Sequence, residues 1–274
     1  MENIPFDVTA YSHEDSWDAI WHSQWFTRDE WLPTFRSRED FAHLRAVAAH
    51  TMPRGEVRRV LDCTSGMGTK SIVLAELGYE VEGTDASREG VRIARLLASA
   101  EGHEIPFRVR RWCELDGGPY DAVYSDAFDL APDRDALRGA ARGIRSVLRD
   151  GGIYVFPGAH QWFTEAERAD VLERDWRELD HISMESPMER DGVRLTRVYV
   201  HDRVDEGITV TEVALWEEAS RMRAAIAKDW VRCLRWSFAD FAAALREAGF
   251  RDVDSVKVPG FPDRAPWIAN VARA

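Results

Sequence analysis

The chain has 274 residues, of which 45% are hydrophobic and 31% are charged, and its formal net charge is −12. This composition is typical of a folded globular protein with one domain, or one domain that carries an insertion. A net negative charge disfavours binding to a phosphate backbone, so we expect no nucleic-acid partner. The three cysteines are far apart and form no CxxC pair, so neither a disulfide framework nor a structural metal site is expected.

No stretch approaches the roughly 20 apolar residues that a membrane span requires. The first ten residues lack the basic and apolar regions of a signal peptide. We therefore expect a cytoplasmic protein that does not associate with membranes. The sequence leaves open whether the chain forms a homo-oligomer.

The N-terminal residues 1–52 are expected to form a helical segment that ends at a Pro/Gly breaker cluster. Trp17, Trp21 and Trp25 recur at every fourth residue, which places them in one helical stripe. Such a stripe is typical of a helix that packs by an apolar face. Alternatively, the segment is a lid whose aromatic rings enclose a cofactor or a cationic substrate. In the second case Tyr11, Trp21 and Trp25 are expected to contact the substrate.

From residue 57 onward, short apolar strands alternate with helices. This alternation predicts βαβ units and therefore an α/β fold with a doubly wound, mostly parallel sheet. The predicted elements of this part are strands at 57–62, 79–84, 105–110, 120–125 and 152–156, and helices at 69–77, 87–100 and 134–148.

After residue 163 the pattern changes. Residues 195–202 and 208–215 alternate on either side of a Gly-containing turn, which predicts an antiparallel hairpin. Residues 216–230 are expected to form a helix, and an amphipathic helix at 237–248 follows, with Ser237 as its cap. The expected organisation is a single domain, 1–274, that consists of an N-terminal lid (1–52), a cofactor-binding core (53–163), a substrate-side insertion (164–236), and a C-terminal helix with closing strands near 253–258 and 267–272 (237–274).

Two glycines, Gly66 and Gly68, stand between a predicted strand and a predicted helix. Without side chains there, the backbone can approach a ligand closely, and a helix N-terminus favours negative charge. Asp85 ends the next predicted strand, where a carboxylate can bind the hydroxyls of a ribose. A dinucleotide fingerprint would need a third glycine where Ser71 stands, so an NAD-dependent oxidoreductase is a distant alternative.

The pattern Asp62-x-x-x-Gly66-x-Gly68, followed by Asp85, resembles the first and second motifs of class I S-adenosylmethionine (SAM)-dependent methyltransferases. Residues 120–128 and 148–155 are similar to the fourth and fifth motifs of that family. The resemblance implies a Rossmann-like sheet of seven strands, SAM as the cofactor and S-adenosylhomocysteine as the product. The cofactor-binding residues that it implies are Trp31, Arg38, Asp62, Gly66, Gly68, Asp85, Ala86, Arg111, Trp112 and Ser125.

Within this family, the chain resembles glycine N-methyltransferase and its relatives. Arg36-Ser-Arg38 is similar to an N-terminal Arg-Ser-Arg whose second arginine binds the SAM carboxylate, a role that would fall on Arg38. Trp31 stands where that family has an aromatic residue near the cofactor, and Pro266-Trp267 matches its C-terminal proline and aromatic strand. Trp112 occupies the slot that stacks on adenine, although a tryptophan there could equally belong to the core.

The chain departs from that family after the fifth strand. Ala159 stands at or beside the position of an arginine that holds the substrate carboxylate, so glycine itself is not expected to be the acceptor. We expect a small-molecule acceptor, an amine nitrogen, bound near Ser125, Asp126, Phe128 and His160. The alternative is a natural-product O-methyltransferase in which His160 is the catalytic general base. His160 could also be an ordinary loop residue.

Overall fold

The computed structural model describes residues 6–12, 15–38, 41–158, 161–219, 221–259 and 268–274. The chain divides into two compact units that interleave along the sequence. The parallel-sheet unit comprises Pro33–Phe163 and Trp236–Ala274, and the meander unit comprises Met1–Leu32 and Thr164–Arg235. The single-domain organisation expected from the sequence stays a prediction.

The helices and strands of the described residues alternate regularly in the first part of the chain, whereas strands dominate between residues 182 and 233. In chain order they are β1 (Phe6–Ala10), α1 (Ser16–Phe26), α2 (Arg28–Ser37), α3 (Ala42–Thr51), β2 (Arg59–Cys63), α4 (Thr69–Glu76), β3 (Glu80–Asp85), α5 (Arg88–Ala100), β4 (Phe107–Val109), β5 (Tyr120–Tyr124), α6 (Arg134–Val147), β6 (Leu148–Pro157), α7 (Glu165–Glu178), β7 (Ile182–Met184), β8 (Met188–Arg190), β9 (Val193–Val204), β10 (Gly207–Glu218), β11 (Arg221–Cys233), α8 (Phe238–Glu247), β12 (Val253–Lys257) and β13 (Ile268–Arg273).

The parallel-sheet unit is built on a seven-stranded sheet with the order β12-β13-β6-β5-β2-β3-β4. The five strands from β6 to β4 are parallel, whereas β13 runs antiparallel to both of its neighbours. This is the mostly parallel α/β sheet that the sequence predicts. The order of the strands reverses between β5 and β2, and in open sheets of this kind ligands bind beyond the carboxyl ends of the strands at such a switch point.

Helices cover both faces of this sheet because its strands are apolar on both sides. Tyr154 and Phe156 of β6 belong to a buried cluster with residues of α6 and α8. Ile153 and Val155 of the same strand belong to a second buried cluster with residues of α3 and α4. Successive side chains of a strand point to opposite faces, so one strand contributes to both cores.

The meander unit contains a six-stranded sheet with the order β1-β11-β10-β9-β7, in which β8 also pairs with β9. All pairs are antiparallel except β1 with β11. Helix α1 packs on this sheet through buried serines. The backbone N–H of Lys228 donates to Ser16 Oγ at 3.1 Å, and Ser23 Oγ donates to the buried Glu212 Oε1 at 2.5 Å.

Two expectations for this unit are wrong. Residues 216–230 do not form a helix, because Arg221–Cys233 is the strand β11, which pairs with β10 along its length. Its alanines favour a helix in isolation, but a long ladder of interstrand hydrogen bonds overrides that preference. Phe6–Ala10 lies in the part expected to be helical but forms β1, and the short apolar alternation of Phe6, Val8 and Ala10 was the signal for it.

Candidate functional site

The turn between β2 and α4 requires glycine at two positions. Gly66 and Gly68 have φ angles of 50° and 81°, which lie in the left-handed region that favours glycine. A Cβ on Gly68 would lie 2.9 Å from Ala94 Cβ and 3.0 Å from Phe107 Cζ. Both the conformation and the packing against α5 and β4 therefore exclude a side chain at Gly68.

The carboxylate of Asp85 is fixed beside this turn. Its Oδ2 accepts a hydrogen bond from the backbone N–H of Gly66 at 2.8 Å, and its Oδ1 accepts one from the N–H of Ser87 at 2.8 Å. Ala86 lies between them and is exposed. The structure thus brings the predicted residues Gly66 and Asp85 together. A carboxylate oriented by two amides at a strand end is suited to accept hydrogen bonds from ribose hydroxyls.

Asp62 is fully buried in β2. Ser71 Oγ donates to its Oδ2 at 2.6 Å, whereas its Oδ1 has no hydrogen-bond partner within the described part of the chain. Burial raises the pKa of Asp62 to about 7; the Ser71 hydrogen bond opposes this shift. Ser65 Oγ and Thr84 Oγ1 are also buried without a described partner. Buried polar atoms without partners are rare in folded proteins, and these three surround the glycine turn, so they fit a site that receives a polar ligand.

A polar cluster spans the switch point between β2 and β5. Thr64 Oγ1 donates to Asp126 Oδ1 at 3.1 Å and lies 3.2 Å from Ser125 Oγ. The ammonium of Lys70, in the first turn of α4, forms an ion pair with Asp126 Oδ2. Sequence reasoning identified Ser125 and Asp126 but missed Thr64 and Lys70. Lys70 could have been noticed because it follows the glycine turn by two residues.

Trp112 lies at the same edge of the sheet. Its indole Nε1 donates to the carbonyl oxygen of Cys63, the last residue of β2, at 3.0 Å. The ring is partly buried and packs against the core cluster on one face of the sheet. Arg111, which precedes it, is exposed. The geometry is compatible with both roles considered for Trp112, and its stacking on adenine stays a prediction.

The structure does not bring Arg38 to the glycine turn. Its guanidinium pairs with Glu76 at 2.8 Å and with Glu101 at 3.2 Å. Glu76 is the last residue of α4, and the seven-residue rise from Thr69 places it about 10 Å from the start of that helix. Binding of a SAM carboxylate by Arg38 stays a prediction, and it would require these ion pairs to break.

The N-terminal tryptophans form aromatic pairs within the meander unit. The rings of Trp17 and Trp21 stack with centroids 5.2 Å apart, and those of Trp25 and Trp31 are tilted at 6.3 Å. Trp31 Nε1 donates to Gln24 O at 2.8 Å, whereas the buried Nε1 of Trp21 has no partner among the residues described. Contacts of these rings with a cofactor or substrate stay predictions.

Two other residues predicted to contact the substrate, Phe128 and Tyr11, differ in their exposure. Phe128 is only 1% exposed, and its ring packs against Tyr154, Phe156 and Phe241 at centroid distances of 5.1 to 5.5 Å. It is therefore a core residue, which corrects its assignment to the substrate. Tyr11 is 36% exposed, and its contact with a substrate stays a prediction.

Several sequence predictions lie outside the described residues, namely His160, Ala159, Pro266 and Trp267. Among the residues that are described, no group of three or more His, Cys, Asp or Glu side chains could hold a metal ion. No helix in the described ranges is long and apolar enough to cross a membrane.

Residues 60–152 match a family model described as a methyltransferase domain. The chain is 33% identical over 116 residues to glycine N-methyltransferase from Oryctolagus cuniculus, which covers 36% of this chain and 39% of the relative. It is 35% identical over 98 residues to a ubiquinone biosynthesis O-methyltransferase from Paramagnetospirillum magneticum, which covers 35% of this chain and 38% of the relative. The chain thus matches about two fifths of the length of these curated relatives.

Solved structures resemble the chain over most of its length. The sugar N-methyltransferase KedS8 from a Streptoalloteichus species has a TM-score of 0.62 at 21% identity and covers 87% of each chain. A SAM-dependent methyltransferase from Clostridium acetobutylicum has a TM-score of 0.61 at 13% identity, with coverage of 93% and 98%. SAM-bound CalS10, an amino pentose methyltransferase from Micromonospora echinaspora, has a TM-score of 0.55 at 18% identity, with coverage of 87% and 91%. At these identities the likeness shows the fold alone.

Proposed function

Because the chain carries a class I SAM-dependent methyltransferase domain, we propose that it is an enzyme that transfers a methyl group from SAM to an amine nitrogen of a small molecule. The observation that carries the proposal is the glycine turn after β2, hydrogen-bonded to the carboxylate of Asp85 beside the switch point of the sheet. These likenesses do not support the NAD-dependent alternative. Nor does Ser71, which stands where a dinucleotide fingerprint has its third glycine and donates a hydrogen bond to Asp62.

The residues at the carboxyl edge of the parallel sheet fit SAM. The backbone at Gly66 and Gly68 would receive the amino-acid part of the cofactor, Asp85 would accept hydrogen bonds from the ribose, and the orphaned Asp62 Oδ1 would accept one from a ligand N–H. Trp112 would lie against the adenine. Bound SAM supplies a methyl group on a positively charged sulfur, so the protein need not activate the methyl donor.

An amine acceptor suits this chain. Its nitrogen lone pair forms the new N–C bond while the electrons of the S–C bond return to sulfur, and the methylated nitrogen then loses a proton to water. Such a transfer requires little beyond alignment and the exclusion of water. The net charge of −12 favours a polar nitrogen compound over a phosphate polymer. Relatives and structural neighbours that are named N-methyltransferases also support an amine.

An oxygen acceptor is the second candidate, favoured by the likeness to ubiquinone biosynthesis O-methyltransferases. A hydroxyl must lose its proton to become a good nucleophile, so this reaction would need a general base. His160 is our candidate for that base, since it follows the carboxyl end of β6 in the sequence.

The test is a panel of amines, amino acids and phenols, assayed for release of S-adenosylhomocysteine with the wild type and with His160→Ala. We expect amines to turn over and His160→Ala to retain their turnover rate within about a hundredfold. Loss of a general base would instead lower the rate by a factor of about 10²–10⁴. His50→Ala, at an exposed histidine of α3, is the matched control. Turnover of phenols alone, abolished by His160→Ala with cofactor binding intact, would establish the O-methyltransferase instead.

A further inference from the structure

Lysine is rare in this chain. Only Lys70, Lys228 and Lys257 occur among its 36 lysine and arginine residues. Lys70 lies at the switch point, where its ammonium pairs with Asp126, and the two side chains are only 30% and 24% exposed. An ammonium is a compact point charge that can pair with a single carboxylate oxygen.

The groups around this ion pair leave Lys70 charged. Burial lowers the pKa of Lys70, but Asp126 and Asp62 raise it, and the balance lies above the ordinary value. Burial also raises the pKa values of the Cys63 thiol and the Tyr124 and Tyr154 hydroxyls, so these groups are neutral near pH 7. Two further carboxyl groups lie on the β2 and β3 side, those of Asp85 and Asp62. The pKa of about 7 leaves Asp62 partly protonated near neutral pH.

We propose that Lys70 is a positioning residue that compensates the charge of Asp126 at the reaction centre, so that the acceptor amine binds as its neutral free base. The proposal rests on the methyltransferase function proposed above. A bare carboxylate at this point would favour the protonated amine, which has no lone pair with which to attack the methyl group. It would also favour the positively charged SAM over the neutral S-adenosylhomocysteine, and so oppose the transfer. Asp126, which the sequence places near the acceptor, is paired with Lys70 and is therefore not available to hold a protonated amine.

The first measurement needs no acceptor. SAM and S-adenosylhomocysteine differ by one methyl group and one charge, so the ratio of their dissociation constants reports the local charge. We expect Lys70→Met, which keeps the aliphatic stem, to shift this ratio about tenfold in favour of SAM, because Asp126 is then uncompensated. Lys70→Met combined with Asp126→Asn removes both charges and should return the ratio to that of the wild type. Lys70→Arg keeps the charge and should also leave the ratio unchanged.

The second measurement uses the amine with the fastest turnover in the panel described above. In Lys70→Met we expect the pH at which kcat is half-maximal to rise by about one unit, because the exposed carboxylate stabilises the ammonium form of the acceptor. The double variant should return the profile to the position of the wild type. Since Asp62 also titrates near neutral pH, the pH dependence of S-adenosylhomocysteine binding is measured in each variant as its control.

The outcomes separate the two proposals. In one outcome SAM and S-adenosylhomocysteine bind, Lys70→Met changes both affinities equally, and the double variant restores neither affinity. The ion pair is then only structural, and the role of Lys70 is refuted while the proposed function stands. If the folded wild type binds neither compound, the proposed function fails and the role of Lys70 fails with it. If both compounds bind but no amine turns over, the amine acceptor is refuted. In that case, a ratio of dissociation constants that is the same in Lys70→Met and in the wild type would refute the role of Lys70 as well.

Discussion

Asp62, Asp85 and Asp126 all lie where strands of the parallel sheet end, but their surroundings differ. Asp85 accepts hydrogen bonds from two backbone amides, Asp126 is paired with Lys70, and Asp62 is fully buried with one oxygen lacking a described partner. Burial raises the pKa of Asp62 to about 7. The three aspartates therefore differ in state: Asp85 is a fixed hydrogen-bond acceptor, Asp126 has its charge compensated by Lys70, and Asp62 is a carboxyl that can be neutral.

Asp85→Ala should weaken the binding of S-adenosylhomocysteine by about tenfold to a hundredfold, since a hydrogen bond to a charged group contributes roughly 1.5–3 kcal/mol. Isothermal titration calorimetry measures this change. Asp85→Asn keeps one acceptor oxygen beside Gly66 N and should lose less affinity, which separates loss of the ligand contact from collapse of the turn. Asp150→Ala, at a fully exposed side chain, is the control. Equal affinity of Asp85→Ala and wild type would remove Asp85 from the site.

At the scale of elements, Gly68 in the β2–α4 turn and Gly102 after α5 form a matched pair of glycines. Gly68 and Gly102 have φ angles of +81° and +80°, but a Cβ on Gly68 would meet Ala94 and Phe107, whereas a Cβ on Gly102 would meet nothing within 4 Å. Gly102→Ala should therefore cost only the backbone strain of a left-handed residue, about 1 kcal/mol. Gly68→Ala adds a steric clash and should cost about 1–3 kcal/mol more. Urea unfolding compares the two variants, and equal losses would show that the turn has room for a side chain.

The parallel sheet could be predicted from the sequence because each βαβ unit carries its own local signal, an apolar strand, a turn and a helical segment. Ser87, for example, is the first residue of the helix predicted at 87–100, and it caps α5 by accepting from Gly90 N at 2.9 Å. The strand β11 could not be predicted in this way, because its alanine-rich segment 221–233 forms a strand only through its pairing with β10. Nonlocal pairing carries no local signature.

The residues of the candidate site also differ in whether a local sequence signal or a nonlocal contact places them. Gly66, Gly68 and Asp85 follow from spacing alone, since the conformation of one turn and one strand end places them. The pairing of Lys70 with Asp126 joins residues 56 positions apart and depends on the direction of two side chains. Phe128 was assigned to the substrate from its position after β5, but the turn directs its ring into the core. Position relative to a strand end does not determine which way a loop side chain points.

At the scale of the whole molecule, the chain passes from one unit to the other three times. The first passage falls within α2, between Leu32 and Pro33, and the other two follow Phe163 and Arg235. The predicted lid, residues 1–52, therefore contains residues of both units. Its closure over a cofactor, the cytoplasmic location, the absence of a nucleic-acid partner and the formation of a homo-oligomer all stay predictions.

Limited trypsin digestion tests the lid. Arg36 is 55% exposed and lies on α2, close to the Arg38 ion pairs that cofactor binding would have to break. If the segment closes over the ligand, S-adenosylhomocysteine should slow cleavage at Arg36 severalfold, because proteolysis follows the population of the open state. Arg174 and Arg177 of α7, 58% and 74% exposed, are internal controls whose cleavage should not change. An unchanged rate at Arg36 with saturating ligand would refute the lid, and slowing at all three sites would indicate general stabilisation instead.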